Sequence, residues 1–249
     1  MSEPGARDHY SYSVYADPAT ARNFDERRFG GPIGEMVASA QADAIERFAG
    51  PFRNRTVLDV GTGTGRAAIL MARGGACVTA IDPSEEMLEI ARKRAAEESL
   101  SIRFAEGDAH RLEFSDRAFD VVVSLRVLMH AADWIRCLAE LCRVSGGLVI
   151  VDYPSARSVA LFQSIARRLM HRLGVRTEPY RVLEDATVAQ ELYRAGFRIR
   201  SEHRQFVLPI AVHKAIGSRR FSDRTRALSE RLGLLRVFGS PVTIVAERW

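Results

Sequence analysis

Lysine is nearly missing from this chain: its 249 residues hold 36 basic side chains, and all but Lys93 and Lys214 are arginine. Neither lysine has a tyrosine four residues before it, which removes the Tyr-x-x-x-Lys pair of one class of nicotinamide-dependent oxidoreductase. Cysteine is scarce too. Cys77, Cys137 and Cys142 are odd in number and lack C-x-x-C or Cys/His ligand spacing, which argues against a structural metal or a disulfide framework and for a reducing compartment. No apolar run approaches the ~18 residues of a membrane span. The Met-Ser-Glu-Pro-Gly start carries no signal-peptide pattern. Repeats and low-complexity tracts are absent. The expectation is a cytoplasmic chain without a metal site. What remains, 47% hydrophobic and 27% charged residues, is ordinary globular composition with enough apolar material for one sizeable core.

The charge is unevenly spread. Residues 1–154 hold 18 Lys+Arg against 23 Asp+Glu, while residues 155–249 hold 18 against 8. A basic C-terminal third can face an acidic substrate, lipid headgroups or nucleic acid.

Residues 1–35 read as an arm or lid, with Tyr10, Tyr12, Tyr15, Phe24 and Phe29 but no sustained period. A helix follows to Ala49, where Gly50-Pro51 stops it. From residue 56 the pattern alternates: strands at 56–61, 76–82, 101–108, 119–125 and 146–153, with helices at 64–73, 84–98 and 132–143 between them. Ser84 reads as an N-cap followed by two glutamates. FDVVVSL (119–125) is a continuous apolar run, as in a strand covered on both faces. Such alternation implies a parallel α/β sheet. Residues 36–153 are the expected ligand-binding core of a single domain spanning 1–249. Residues 154–183 read as a cap insertion. Within it, 155–173 is basic and amphipathic, with Phe162, Ile165, Leu169 and Leu173 on one face, and offers peripheral membrane contact as an alternative to core packing. Residues 184–249 complete the sheet and carry a second basic, partly helical insertion at about 212–236.

The densest information lies in VLDVGTGTGR, residues 57–66. A strand enters Gly61, Gly63 and Gly65 and a helix leaves, a turn that brings backbone close to a ligand. A dinucleotide fingerprint needs glycine at 66, which is Arg66. The next strand ends in Asp82-Pro83, placing a carboxylate where it can accept from ribose hydroxyls. The third ends in Glu106-Gly107-Asp108-Ala109, where a carboxylate can accept from an exocyclic amine. Three strand ends thus outline a pocket for an adenosine-like ligand.

Read together and in this order, D-V-G-T-G-T-G, I-D-P-S-x-x-M-L, E-G-D-A and F-D-V-V-V-S resemble the class I S-adenosylmethionine-dependent methyltransferases. More narrowly, they resemble the small-molecule branch that includes ubiquinone- and menaquinone-biosynthesis enzymes. The resemblance implies a Rossmann-like seven-stranded sheet ordered 3-2-1-4-5-7-6 with strand 7 antiparallel, and S-adenosylmethionine as cofactor. It places Asp59 and Gly61 at the methionine end, with Thr62, Gly63 and Gly65 along the cofactor's path. Asp82 would hold the ribose, Pro83 and Met87 would pack on the adenine, and Asp108 with the Ala109 N–H would bind its edge. Ser124, Leu125 and Arg126 would sit near the sulfonium. Arg28 of the arm reads first as a solvated arginine, with reach to the cofactor carboxylate as the alternative.

The chain also departs from the family pattern: Met129 stands where a first histidine is frequent, leaving His130 as the candidate general base, and Val144-Ser145 replace Lys-Pro before Gly146-Gly147. The expected activity is methyl transfer to a small lipophilic or anionic acceptor, such as a quinone precursor, phenol, lipid or glycoconjugate. An RNA or protein methyltransferase, or a non-catalytic partner subunit, is the alternative. No RNA-binding module accompanies the basic third, so nucleic acid is disfavoured. Oligomeric state has no sequence signal.

Overall fold

A strand that ends in a tight turn and is followed by a helix must be re-entered from the other end of the sheet, so successive strands come out parallel. A computed structural model of the chain shows this arrangement and describes residue 25, residues 29–159 and residues 181–249. Tyr10, Tyr12, Tyr15, Phe24 and Arg28 of the arm, and Phe162, Ile165, Leu169 and Leu173 of the cap insertion, lie outside the described residues.

Seven strands form one sheet in the order β3-β2-β1-β4-β5-β7-β6. They are β1 Thr56–Val60, β2 Cys77–Asp82, β3 Ile102–Glu106, β4 Phe119–Ser124, β5 Ser145–Tyr153, β6 Phe197–Phe206 and β7 Ser240–Arg248. The first five pair in parallel, and β7 runs antiparallel between β5 and β6. The helices are α1 Gly31–Ala49, α2 Arg66–Arg73, α3 Glu85–Glu97, α4 Trp134–Val144, α5 Asp185–Arg194, α6 Ile210–Ile216, α7 Arg219–Arg231 and α8 Leu234–Phe238. The strand order and the antiparallel β7 match the sequence expectation. Element ends differ by only a few residues, and the second insertion runs from α6 through α8.

The two faces of the sheet bury separate sets of side chains, because successive residues of a strand point oppositely. Leu58, Val60, Val122 and Val149 pack with Leu138 and Leu141 of α4 and Leu192 of α5. Val57, Val121, Val123 and Ile150 pack with Ala68 and Met71 of α2 and Ile45 of α1. That double coverage is why β4 reads as an unbroken apolar run. Local chemistry sets the helix starts. The Ser84 hydroxyl accepts from the Met87 N–H at 3.2 Å, and the Asp133 carboxylate accepts from the Arg136 N–H at 3.0 Å.

The amino edge of the sheet is stitched by side chains. Asp120 accepts from the Thr56 N–H at 2.7 Å and from its hydroxyl at 2.8 Å, joining β4 to β1. Arg248 donates to the carbonyls of Ser145 and Cys142, joining β7 to the α4–β5 corner. At the carboxyl edge, the chain just after β5 is joined to the chain just before α5 by hydrogen bonds from Ala156 N–H to Leu183 O and from Leu183 N–H to Pro154 O. Because β6 runs parallel to β5, its end at Phe206 and the start of β7 at Ser240 also lie on this edge. The α6–α8 insertion therefore emerges on the same edge as the loops that follow β1, β2 and β4, to the β5 side of them.

Candidate functional site

A cleft enclosing about 1200 Å³ of atom-free space, open mouth included, runs along the carboxyl ends of β1 to β4. Its floor is the turn after β1. Gly61 N–H and Thr62 N–H both donate to the Ile81 carbonyl, at 2.8 and 3.0 Å, so the turn is pinned to the end of β2. Gly61 has φ +72°, and a Cβ there would lie 2.3 Å from a methyl of Val127 in the loop after β4. Gly63 has φ +54°, and a Cβ there would meet nothing within 4 Å. The turn thus packs tightly on its β4 side and presents bare backbone at Gly63, which lines the cleft.

Two buried carboxylates stand under this backbone. Asp59 accepts from the Thr62 hydroxyl at 2.7 Å. Asp82 accepts from the Gly63 N–H at 2.8 Å through one oxygen and from the Ser84 N–H at 3.0 Å through the other. Burial raises each from the ordinary 3.8 to about 6, against the lowering effect of those hydrogen bonds, and Asp82 adds a small push to Asp59. A pair of acids here repels a pyrophosphate and favours a ligand rich in donors or positive charge. Each Asp82 oxygen still has a second lone pair for a hydroxyl.

The walls divide by chemistry. Pro83, Met87 and Ala109 provide an apolar slot on the β2–β3 side, while Leu125, Arg126, Val127, His130 and Ala131 line the β4 side. Gly61, Thr62 and Gly63 line the floor, whereas Gly65 opens α2 from a left-handed N-cap with φ +82°. Two residues singled out by sequence point elsewhere. The Asp108 side chain does not line the cleft: one oxygen accepts from the His110 N–H at 2.9 Å and contacts His110 Nδ1 at 2.8 Å. Ser124 is fully buried and donates to the Val60 carbonyl at 3.0 Å, tying β4 to β1 beneath the site.

Other contributors carried no sequence signal. His110 lines the cleft, and its Nε2 accepts from the Asp133 N–H at 3.3 Å. With Nε2 accepting, Nδ1 holds the proton and donates to Asp108. The Arg136 side chain donates to the His110 carbonyl at 3.0 Å, so the β3 loop is fastened to the start of α4. On the other side, Arg126 has φ +64°, a region costly for a side-chain-bearing residue. Its N–H donates to the buried carboxylate of Asp152, at the end of β5. That bond holds the loop's first turn in place. Arm residues reach the floor as well: the Thr64 hydroxyl donates to Asp25 at 3.0 Å, Arg94 pairs with Asp25, and the Arg66 guanidinium lies 4.1 Å from the centre of the Phe29 ring.

These features fit S-adenosylmethionine. Its ribose hydroxyls and ammonium are donors that buried acids could accept from, its positive charge suits those acids, and its adenine would suit the apolar slot. A nicotinamide dinucleotide fits poorly: Asp82 would suit its ribose as well, but its fingerprint turn needs glycine where Arg66 opens α2, and the Asp59 carboxylate stands under the turn that would carry its pyrophosphate.

Comparison with known proteins agrees. Residues 57–146 match the family model described as a methyltransferase domain. The demethylmenaquinone methyltransferase of Deinococcus radiodurans is 36% identical over 166 residues, 59% of this chain and 69% of that protein. The ubiquinone biosynthesis O-methyltransferase of Caulobacter vibrioides is 37% identical over 125 residues, 46% of this chain and 49% of that one. In fold, the chain resembles magnesium protoporphyrin IX methyltransferase of Synechocystis with bound SAH, at TM-score 0.66 and 16% identity, covering 96% of this chain and 99% of that chain. The chain belongs to the class I S-adenosylmethionine-dependent methyltransferases and is an enzyme of that family.

Proposed function

We propose that this methyltransferase acts on a small lipophilic acceptor of the quinol or phenol type, in the β4-side half of the cleft. The observation that carries the reading is the make-up of that half: Leu125, Val127 and Ala131 form an apolar wall around one imidazole, His130. The names of the two quinone-pathway relatives support the same acceptor class. Bound S-adenosylmethionine supplies a methyl group on a positively charged sulfur that is already a good leaving group. The protein's share is alignment and exclusion of water. Asp82 would hold the ribose and the Asp59 turn would carry the methionine end. Met87 and Pro83 would flank the adenine, and the Ala109 backbone would meet its edge. Asp152 would steady Arg126 and the following loop, and His130 would take the proton from the acceptor hydroxyl.

The test is incubation of the full chain with S-adenosylmethionine and a short-chain demethylated quinol, with products read by mass spectrometry. A methylated quinol is the expected product. Methyl label entering RNA or protein from a cell extract, with none in the quinol, would overturn the acceptor class.

The two raised acids add a pH signature. Asp59 and Asp82 bind their protons more tightly folded than unfolded. Their own contribution to stability therefore grows as pH falls from about 6 toward 4. Cofactor binding runs the other way, since a protonated Asp82 is a poorer acceptor and no longer offsets a cation. The rise in melting temperature given by saturating S-adenosylmethionine should shrink as pH drops below 6, even after correction for the melting of the free protein. An increment that stays constant from pH 7.5 to about 5 would count against both acids as ligand contacts.

A further inference from the structure

We propose that the α6–α8 insertion is a docking surface for an anionic lipid bilayer. Of the thirteen large apolar side chains exposed among the described residues, eight fall between Leu208 and Phe238. Scattered exposed leucines need no explanation, but a concentration of this kind marks an interaction site.

Helix α7 makes the case most clearly, because it is built inside out. The side turned into the protein carries Phe221, Ser222, Thr225 and Ser229, with Ser222 fully buried. That side is mostly hydroxyls satisfied locally: Ser222 meets His213 Nδ1 at 2.8 Å, and Thr225 donates to the Phe221 carbonyl at 2.9 Å. The leucines face out instead, Leu228 at 58% and Leu232 at 63% exposure. A helix adapted to water on that side would have the opposite arrangement. Leu234, Val237 and Phe238 of α8 are exposed too, as are Val212 and Ile216 of α6.

Charge selects the occupant. Residues 208–238 hold six arginines and Lys214 against Asp223 and Glu230. All six arginines are exposed. Arg224 and Arg231 stand four and three positions from Leu228, so cation and leucine share one stripe of α7. Apolar side chains flanked by arginines suit the boundary between acyl chains and acidic headgroups, where stems and leucines insert and guanidiniums meet phosphate. A protein partner or a second copy would need a matching acidic and apolar face. Nucleic acid would leave the leucines in water. No described helix is long and apolar enough to cross a membrane, so the contact is peripheral.

Placement gives the surface a use. The insertion leaves from the carboxyl edge of the sheet, α6 and α7 pack on α1, and α1 contributes Gln41 to the cleft. A bilayer held there lies beside the half of the cleft assigned to the acceptor, although the surface stands whether or not that assignment does.

The experiment is co-sedimentation of the full chain with vesicles of phosphatidylcholine, alone or with equal parts phosphatidylglycerol. Binding is expected on the mixed vesicles, weaker on the neutral ones, and falling with added salt. The double variant Leu228→Glu with Leu232→Glu should lower the affinity at least about tenfold, and so should Arg224→Glu with Arg231→Glu. Both should keep the wild-type urea midpoint and the wild-type affinity for S-adenosylmethionine. Absence of vesicle binding, or equal binding by wild type and both variants, overturns the proposal. A dimer in analytical ultracentrifugation that the leucine variant breaks, with vesicle binding unaltered, assigns the face to a second copy instead. RNA retention that exceeds vesicle binding and is lost in the arginine variant assigns it to nucleic acid.

Discussion

Replacing Asp82 by alanine should weaken S-adenosylmethionine binding by about ten- to a hundredfold, the equivalent of ~1–3 kcal/mol for bound donors left without an acceptor. The effect has two sources. The proposed ribose contacts go, and so do the bonds that present Gly63 and Ser84, because each carboxylate oxygen takes one of those N–H groups. Asparagine should do no better than alanine. Whichever way its amide turns, one side sets NH₂ against a backbone N–H, donor against donor. Titration calorimetry decides. Wild-type affinity in the alanine variant removes Asp82 from the cofactor site, and wild-type affinity in asparagine alone removes the argument about the N–H pair.

The other large effect should come from His130→Gln, with a fall in kcat of about a hundredfold and cofactor affinity kept within twofold, as for loss of a general base that does not hold the cofactor. The imidazole is nearly buried in the wall of the cleft, and its backbone N–H donates to the Val127 carbonyl at 2.8 Å. Glutamine retains polarity and approximate size but cannot take a proton near neutral pH. A variant that turns over normally would make His130 wall rather than base.

The carboxyl edge was legible because turn chemistry is local. Gly61 and Gly63 have the positive φ that their spacing implies, and Ser84 caps α3 as its neighbours in sequence require. The order of the sheet came with the resemblance, which those same turns carry. What stayed hidden depends on partners far along the chain. Asp108 turns to His110 because the His110 ring is itself fixed by Asp133, the residue that caps α4. Ser124 turns from the cleft to a carbonyl 64 positions earlier. Asp152 reads as the polar end of an apolar strand, and only the adjoining β4 loop gives it an N–H to hold. The basic insertion was visible as composition. That α7 turns its leucines outward was not, since the same residues could pack inward with a half-turn rotation.

The stitching of β1 to β4 by Asp120, and of β7 to the α4 corner by Arg248, belongs to the end of the strands remote from the cleft. Durability and chemistry therefore occupy opposite poles of the same scaffold. Random variation at the remote pole should raise or lower heat tolerance while leaving turnover intact, so a hardened version of the enzyme is best sought there.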